Sequence, residues 1–173
     1  YAGGLGALHR STDAGATWQP LPGLTPTYGL ALPPTFASSG IFWSTYRTVE
    51  GIGDGTPDSG VLRHTGRGDS WQLASAGLPG TFDPTPRHLA VSPRFAIDSS
   101  LFTALSGPVT EPLQHSLLRT ADGGGLWIDL GPAPGNPDVL GLVATHTEQE
   151  GLAAHLATEQ GVWHYVGPRP APT

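Results

Sequence analysis

The residues with the clearest chemical potential are carboxylates in long segments rich in glycine and proline. A glycoside hydrolase needs two carboxyl groups that face each other across a cleft. Four residues could supply such a pair, namely Asp54, Asp58, Asp83 and Glu111. Nothing in their spacing selects two of them, so no catalytic residue is assigned and the chain is predicted to be a binding protein rather than an enzyme.

The segment 48–59 also offers oxygen ligands for a metal ion. Glu50, Asp54 and Asp58 stand among glycines, and Ca²⁺ binds carboxylate oxygens of this kind. Their regular spacing of four residues differs from the alternating ligands of a calcium-binding loop. The seven His are scattered singly, without a pair at zinc-like spacing. No cofactor and no metal ligand are therefore predicted, with calcium in this segment as the alternative.

Composition limits both the class of protein and its partners. The 173 residues carry a net charge of -6, which argues against a nucleic-acid-binding surface. The 25 Gly and 18 Pro stand beside five Trp and five Phe, a composition that favours a folded, turn-rich β protein. Cysteine is absent, which excludes disulfides and thiolate metal sites. No apolar stretch approaches the roughly 18 residues of a membrane span, so none is predicted.

Two sequence elements recur in the same order along the chain. Trp18, Trp71 and Trp127 each end a similar eight-residue segment. The second element, residues 30–37, matches residues 89–96 without a gap. The match is expected to continue from Ile41-Phe42 to Leu101-Phe102 with one residue inserted. Recurrence of two independent elements predicts a tandem repeat.

Each repeat is predicted to contain four short strands separated by turn residues. The first full copy has them at about 28–33, 41–47, 60–64 and 70–74. The second copy has them at about 87–92, 100–105, 115–120 and 126–130. A third copy begins at 139–144, continues through 152–158 and ends at 161–165. No segment shows capped helical periodicity over about ten residues.

The segment that ends at Trp18 predicts a tight turn fixed by its own side chains. Ser11 and Asp13 can accept hydrogen bonds from nearby backbone N–H groups. Gly15 allows a positive φ at little cost. Thr17 and Trp18 begin the next extended segment, where the indole can cover apolar surface. Each of these residues therefore has a structural role that requires no catalysis.

These residues resemble the Asp-box, or BNR repeat, with the pattern Ser/Thr-x-Asp-x-Gly-x-Thr/Ser-Trp. Residues 11–18 match in full, and residues 120–127 match except that Leu126 replaces the hydroxyl residue. Residues 64–71 are degenerate, because Gly66 stands at the Asp position. The matching positions are Ser11, Asp13, Gly15, Thr17 and Trp18, then Gly68, Ser70 and Trp71, and finally Thr120, Asp122, Gly124 and Trp127.

The resemblance to bacterial sialidase-like, extracytoplasmic repeat proteins implies an all-β fold. It implies a β-propeller of four-stranded antiparallel blades with Asp-box turns, of which this chain holds about two full and two partial blades. Further blades of the same or another chain are then expected partners. The expected blade portions are residues 1–24, 25–77, 78–133 and 134–166 of a propeller segment 1–166, followed by a Pro-rich tail or linker at 167–173.

In such propellers the Asp-box turns lie away from the ligand-binding face, so a site is expected among the long loops at the other end. The candidate binding-face residues are Tyr46, Arg47, Glu50, Asp54, Asp58, Asp83, Arg87 and Glu111. The resemblance implies a secreted, periplasmic or cell-surface module, and we expect it to bind a protein or a glycan without catalysis. The alternatives are a sialidase-like or xyloglucanase-like glycoside hydrolase and a propeller of the photosystem-assembly type.

A sialidase mechanism would require three arginines that grip a carboxylate, a Tyr–Glu nucleophile pair and an acid–base Asp. Arginine supplies the planar fork that a carboxylate accepts. Arg10, Arg63 and Arg119 precede the three Asp-box segments, which favours a structural role repeated in each blade, whereas Arg47, Arg87 and Arg94 are expected nearer the loop-rich face. Tyr46 beside Arg47, followed by Glu50, is only a weak indication of this chemistry.

Overall fold

The computed structural model describes residues 1–3, 8–21, 27–47, 58–65, 70–79, 85–107 and 115–167. Four antiparallel sheets follow one another along the chain. The first sheet contains β1 (Leu8–Arg10) and β2 (Gln19–Leu21), and the second contains β3 (Thr27–Ala31), β4 (Ile41–Arg47), β5 (Ser59–Thr65) and β6 (Trp71–Leu73). The third contains β7 (Thr85–Val91), β8 (Leu101–Ser106), β9 (Ser116–Thr120) and β10 (Ile128–Pro132), and the fourth contains β11 (Val139–Thr147), β12 (Gly151–Thr158) and β13 (Gly161–Val166).

The all-β class and the two four-stranded antiparallel sheets confirm the prediction from sequence. Two short helices were not predicted: α1 (Phe36–Ser39) joins β3 to β4, and α2 (Phe95–Asp98) joins β7 to β8. Each helix has one turn, too short to give the 3.6-residue periodicity by which helices are recognised. Neither helix is long and apolar enough to cross a membrane, and the described residues contain no other helix.

The two four-stranded sheets share one register, and the predicted one-residue insertion before β8 is wrong. Phe42 pairs with His64 and Leu101 pairs with Thr120, and each partner is the first residue of an eight-residue turn segment. Phe42 therefore corresponds to Leu101, not to Phe102. The helix ends agree, because both are closed by a left-handed residue, Gly40 at φ 65° and Ser99 at φ 47°. Since most residues avoid positive φ, a serine there conceals the equivalence in the sequence.

The second and third sheets are buried on both faces. Successive side chains of a strand point to opposite sides, so two adjacent buried residues contact different neighbouring sheets. In β4, Phe42 packs toward the first sheet and Trp43 toward the third. In β8, the equivalent Leu101 packs toward the second sheet and Phe102 toward the fourth. The sheets therefore stack in chain order, and the second and third sheets each have one face toward the preceding sheet and one toward the following sheet.

Connections between strands alternate between two ends of this stack. One end, here called the turn end, carries α1, α2 and the segments 11–18 and 120–127. The opposite end, here called the loop end, is where β4 and β8 finish. The two clamp turns are residues 11–18 (first clamp turn) and 120–127 (second clamp turn). This assignment of ends decides which side chains can act together.

Two indoles fasten the turn ends of the second and third sheets to each other. Trp43 donates from Nε1 to the carbonyl oxygen of Gly123 at 2.9 Å, and Trp127 donates from Nε1 to the carbonyl oxygen of Ala74 at 2.7 Å. The backbone N–H of Trp127 also donates to Ala76 at 2.8 Å. The Trp127 side chain is only 3% exposed, whereas the corresponding Trp18 is 45% exposed.

Replacement of Trp127 by Ala is expected to lower the free energy of unfolding by about 3–5 kcal/mol, because it removes a buried aromatic side chain between two sheets. Trp18→Ala is the matched control and should cost at most about 1 kcal/mol, since that indole is exposed and, among the described residues, bonds only to its own turn. Urea unfolding of the intact protein measures both values. Equal losses in the two variants would contradict this assignment of the indoles.

Candidate functional site

The first clamp turn is held by hydrogen bonds within itself. Ser11 Oγ accepts from the N–H of Gly15 at 2.7 Å and donates to Asp13 Oδ1 at 2.8 Å. Asp13 Oδ1 accepts from the N–H of Thr17 at 2.9 Å, and Oδ2 accepts from the Thr17 hydroxyl at 2.5 Å. The Trp18 indole donates to the carbonyl of Gly15 at 3.0 Å. Both carboxylate oxygens of Asp13 are thus occupied by the turn.

These bonds change the acidity of the turn carboxylates. The Thr17 hydroxyl, the Thr17 N–H and the Ser11 hydroxyl lower the pKa of Asp13 to about 2, because they stabilise its charged form. In the second clamp turn, the hydroxyl of Thr120 is the main cause that lowers the pKa of Asp122. A general acid at neutral pH needs a raised pKa, so both carboxylates are poorly suited to that role.

The second clamp turn repeats this arrangement in a partly buried setting. Thr120 Oγ1 donates to Asp122 Oδ1 at 2.5 Å and accepts from the N–H of Gly124 at 3.1 Å. Asp122 Oδ1 also accepts from the N–H groups of Gly125 at 2.7 Å and Leu126 at 3.1 Å. The N–H of Leu126 corresponds to that of Thr17, and the N–H of Gly125 takes the place of the hydroxyl that Leu126 lacks.

The degenerate segment 64–71 is stabilised by aromatic packing at its two ends. His64 stacks on Phe42 with ring centres 4.7 Å apart, and Trp71 meets Phe42 edge-on at 5.3 Å. Ser70 is exposed, and Gly66 and Gly68 lie outside the described residues. His64 is buried in this aromatic cluster, which is consistent with a structural role.

At the loop end, Tyr46 is part of the protein interior. Its side chain is 4% exposed, and burial raises the pKa of its phenol. A hydrogen bond with Ser75 acts in the opposite direction, and the negative charge of Asp58 adds to the increase. A phenol with a raised pKa is a weak nucleophile at neutral pH. The observed environment therefore disfavours the weak indication of nucleophilic chemistry at Tyr46.

Some of the remaining loop-end candidates belong to the described residues and others do not. Arg47 ends β4 and Asp58 directly precedes β5, so the strand pair places both at the loop end. Several predicted binding-face carboxylates lie outside the described residues, namely Glu50, Asp54, Asp83 and Glu111. The same holds for residues 168–173 of the predicted tail. Those predictions remain untested.

Arg87 lies on β7, where the first strands of neighbouring sheets approach closely. A side chain at Gly29 of β3 would lie 2.7 Å from the Arg87 carbonyl oxygen, so glycine permits this approach. On the other side, His88 Nε2 lies 2.9 Å from the carbonyl oxygen of Val139 in β11. Arg87 corresponds in register to Tyr28 on β3, a side chain that is 38% exposed. The first strands therefore present a polar and aromatic edge near the loop end.

A buried histidine fixes the connection between the third and fourth sheets at this end. His115 Nδ1 lies 2.9 Å from the carbonyl oxygen of Asn136, and its Nε2 lies 3.1 Å from that of Gly107. Asp138 accepts a 2.8 Å hydrogen bond from the Ser106 hydroxyl. In the sequence His115 stands alone, because its partners are backbone groups that no motif reveals.

Arg94 is not near the loop-rich face, and the expectation that separated it from Arg119 is wrong. Arg94 directly precedes α2, and that connection lies at the turn end because β7 finishes there. Arg94 and Arg119 line one groove of about 890 Å³ together with His146 and Leu152. Antiparallel order explains the error, since the connection between first and second strands shares an end with the clamp turns.

The described ranges contain no group of three or more His, Asp or Glu side chains placed to hold a metal ion. Of the proposed calcium ligands, only Asp58 belongs to those ranges. Glu50 and Asp54 lie outside them, so the calcium alternative remains a prediction.

The depressed pKa of Asp13 predicts a defined pH dependence of stability. The unfolded carboxyl has a pKa of about 3.9, so the unfolded chain binds more protons than the folded chain between about pH 4 and about pH 2. The contribution of Asp13 is therefore complete above about pH 4 and is lost as the pH falls toward about 2. Asp13→Asn should flatten the stability curve in that window, as measured by urea unfolding at several pH values.

Glu148→Gln, which removes an exposed carboxylate outside the clamp turns, is the control for the loss of one negative charge. Between about pH 4 and about pH 2, the free energy of unfolding of Glu148→Gln should change with pH more like that of the unmodified protein than that of Asp13→Asn does. The same slope in Asp13→Asn and the unmodified protein would contradict the role of the Thr17 and Ser11 hydrogen bonds.

Comparison of the sequence with protein-family models and with curated proteins gives no match. The two ends of the sheet stack differ in chemistry, with the buried Tyr46 at the loop end and the Arg94–Arg119 groove at the turn end.

Proposed function

We propose that the chain is a segment of a non-catalytic, extracytoplasmic β-propeller that binds a protein or a glycan at its loop end. The observation that carries the proposal is the repeated stacking of sheets in one register. Equivalent residues Phe42 and Leu101 both point toward the preceding sheet, and Trp43 and Phe102 both point toward the following sheet. A propeller repeats each blade-to-blade contact in this way.

The fourth sheet supports the same interpretation. Leu156 and Trp163 pack toward the third sheet, whereas Val143 and Val162 on the opposite face are 54% and 74% exposed. By register, Val162 corresponds to Val61 and Leu117, which are buried beneath a following sheet. A further blade would cover this face, in agreement with the expectation that more blades complete the ring.

The stack favours ligand binding at an end of the sheets. Both faces of the second and third sheets are occupied by packing, so their ends remain available for a partner. Binding sites are often built from loops that a rigid scaffold positions. At the loop end, the buried Tyr46 favours binding over a mechanism with a tyrosine nucleophile. Extracytoplasmic localisation rests on the sequence resemblance alone.

The loop end is tested by Arg87→Gln in the intact protein, with Arg10→Gln at the turn end as the matched control. Binding is measured on a glycan array and by affinity capture of proteins. We expect Arg87→Gln to weaken binding of the retained ligand by about tenfold, as expected for loss of a charge-assisted hydrogen bond, while Arg10→Gln leaves it unchanged. Circular dichroism verifies that both variants fold.

A panel of fluorogenic glycosides provides the opposing test. Turnover that disappears in Asp54→Asn or Asp83→Asn would overturn the non-catalytic proposal and favour a glycoside hydrolase. Equal loss of binding in Arg87→Gln and Arg10→Gln would contradict a site at the loop end.

A further inference from the structure

The groove at the turn end between the third and fourth sheets has the features of a binding site distinct from the loop end. Its volume is about 890 Å³, and its charged and polar lining includes Arg94, Arg119, His146, Thr147, Glu148 and Gln149. The third sheet contributes Arg119 from β9 and Arg94 from the connection to β8. The fourth sheet contributes the residues at the junction of β11 and β12. The packing of the two sheets thus brings two guanidinium groups into one groove.

Neither Arg94 nor Arg119 forms an ion pair within the described part of the chain. Two carboxylates, Asp98 and the exposed Glu148, also line the groove, and that of Asp98 is hydrogen-bonded to groups of its own segment. Its Oδ2 accepts from the Ser92 hydroxyl at 2.7 Å, and its Oδ1 accepts from the N–H of Ser100 at 2.9 Å. The two arginines therefore retain donors for an external anion.

Arg119 is held in place before any ligand binds. Its Nη2 donates to Ser100 Oγ at 3.0 Å, and its guanidinium carbon lies 5.9 Å from the centre of the Phe102 ring. Its Nε is buried and has no hydrogen-bond partner among the described residues. An arginine fixed in this way loses less conformational entropy when it binds an anion.

Arg94 is the exposed member of the pair. Its Nη1 lies 3.3 Å from His146 Nε2. Because a guanidinium group can only donate, the histidine nitrogen must be the acceptor in this contact. A carboxylate is a stronger acceptor for the same donor, since charge-assisted hydrogen bonds are about twice as strong as neutral ones.

The corresponding groove between the second and third sheets lacks these features. Arg63 occupies the position of Arg119, but its Nη1 donates to Gln72 Oε1 at 3.4 Å. In the third sheet, Ile128 occupies the position of Gln72 and offers no acceptor. Thr35 occupies the position of Arg94, and the groove is smaller, at about 440 Å³. The paired arginines are therefore specific to one of two equivalent grooves.

We propose that this turn-end groove binds an acidic peptide segment, whose carboxylates accept hydrogen bonds from Arg94 and Arg119. Two planar forks suit carboxylates. Leu152 adds an apolar contact of the kind a peptide uses, and a side chain at Gly151 would meet nothing within 4 Å, which leaves its backbone open to approach. The net charge of -6 opposes non-specific attraction of acidic peptides, so binding would depend on the local arginines.

The test measures the affinity of the intact protein for a fluorescein-labelled triglutamate peptide by fluorescence anisotropy. Arg94→Gln is expected to weaken binding about tenfold or more, and Arg119→Lys, which keeps the charge but loses the fork, should also weaken it. Arg63→Gln in the equivalent groove is the matched control and should leave the affinity unchanged. A triglutamine peptide should not bind.

Three outcomes would overturn the proposal. They are no binding of triglutamate, equal weakening by Arg63→Gln and Arg94→Gln, and binding of glucuronate without binding of the peptide. The last would indicate an acidic glycan instead. Because Arg87 at the loop end is intact in these variants, failure here is distinguishable from failure of the proposed function.

Discussion

The constraint on which the rest of the structure depends is that the second and third sheets must be covered on both faces. Phe42 and Trp43 are adjacent in β4 and are both almost fully buried, although they point in opposite directions. A single sheet with two apolar faces cannot exclude water from both by itself, so it requires a neighbour on each side. Chain-order stacking meets this requirement and aligns the ends of all the sheets.

At the turn end the alignment is fixed by buried indole N–H groups that need acceptors. Trp43 reaches the backbone of the second clamp turn, and Trp127 reaches the backbone after β6. A buried donor without a partner would cost about 1–3 kcal/mol, so these bonds also select the relative position of the sheets. The glycines of the second clamp turn serve the same packing, because a side chain at Gly124 would lie 2.9 Å from Ala74 Cβ. The carboxylate of Asp122 thus holds the turn together, and its glycines allow the second sheet to pack closely against it.

The sequence predicted the strands well because alternation, turn residues and the recurring tryptophans are local signals. It did not predict the register, because Ile41-Phe42 and Leu101-Phe102 look alike while Phe42 in fact corresponds to Leu101. Nor did it place Arg94 with Arg119, since that proximity depends on which strand ends share an edge of the stack. Of the loop-end candidates, Tyr46 showed its structural role only through its burial, a property that arises from tertiary packing.

The last residue before the turn segment shows how new chemistry can arise without disturbing the stack. Arg10, Arg63 and Arg119 occupy this position in the first three sheets, and His164 corresponds to them by register in the fourth. In the second and third sheets this position lies near the end of a strand and borders a groove between sheets, so its side chain can change with little effect on the apolar faces. Arg63 bonds to Gln72, His164 lies 3.6 Å from Glu150, and Arg119 is left with donors that face the groove. Repetition therefore supplies a rigid frame, and divergence at one position per sheet can supply function.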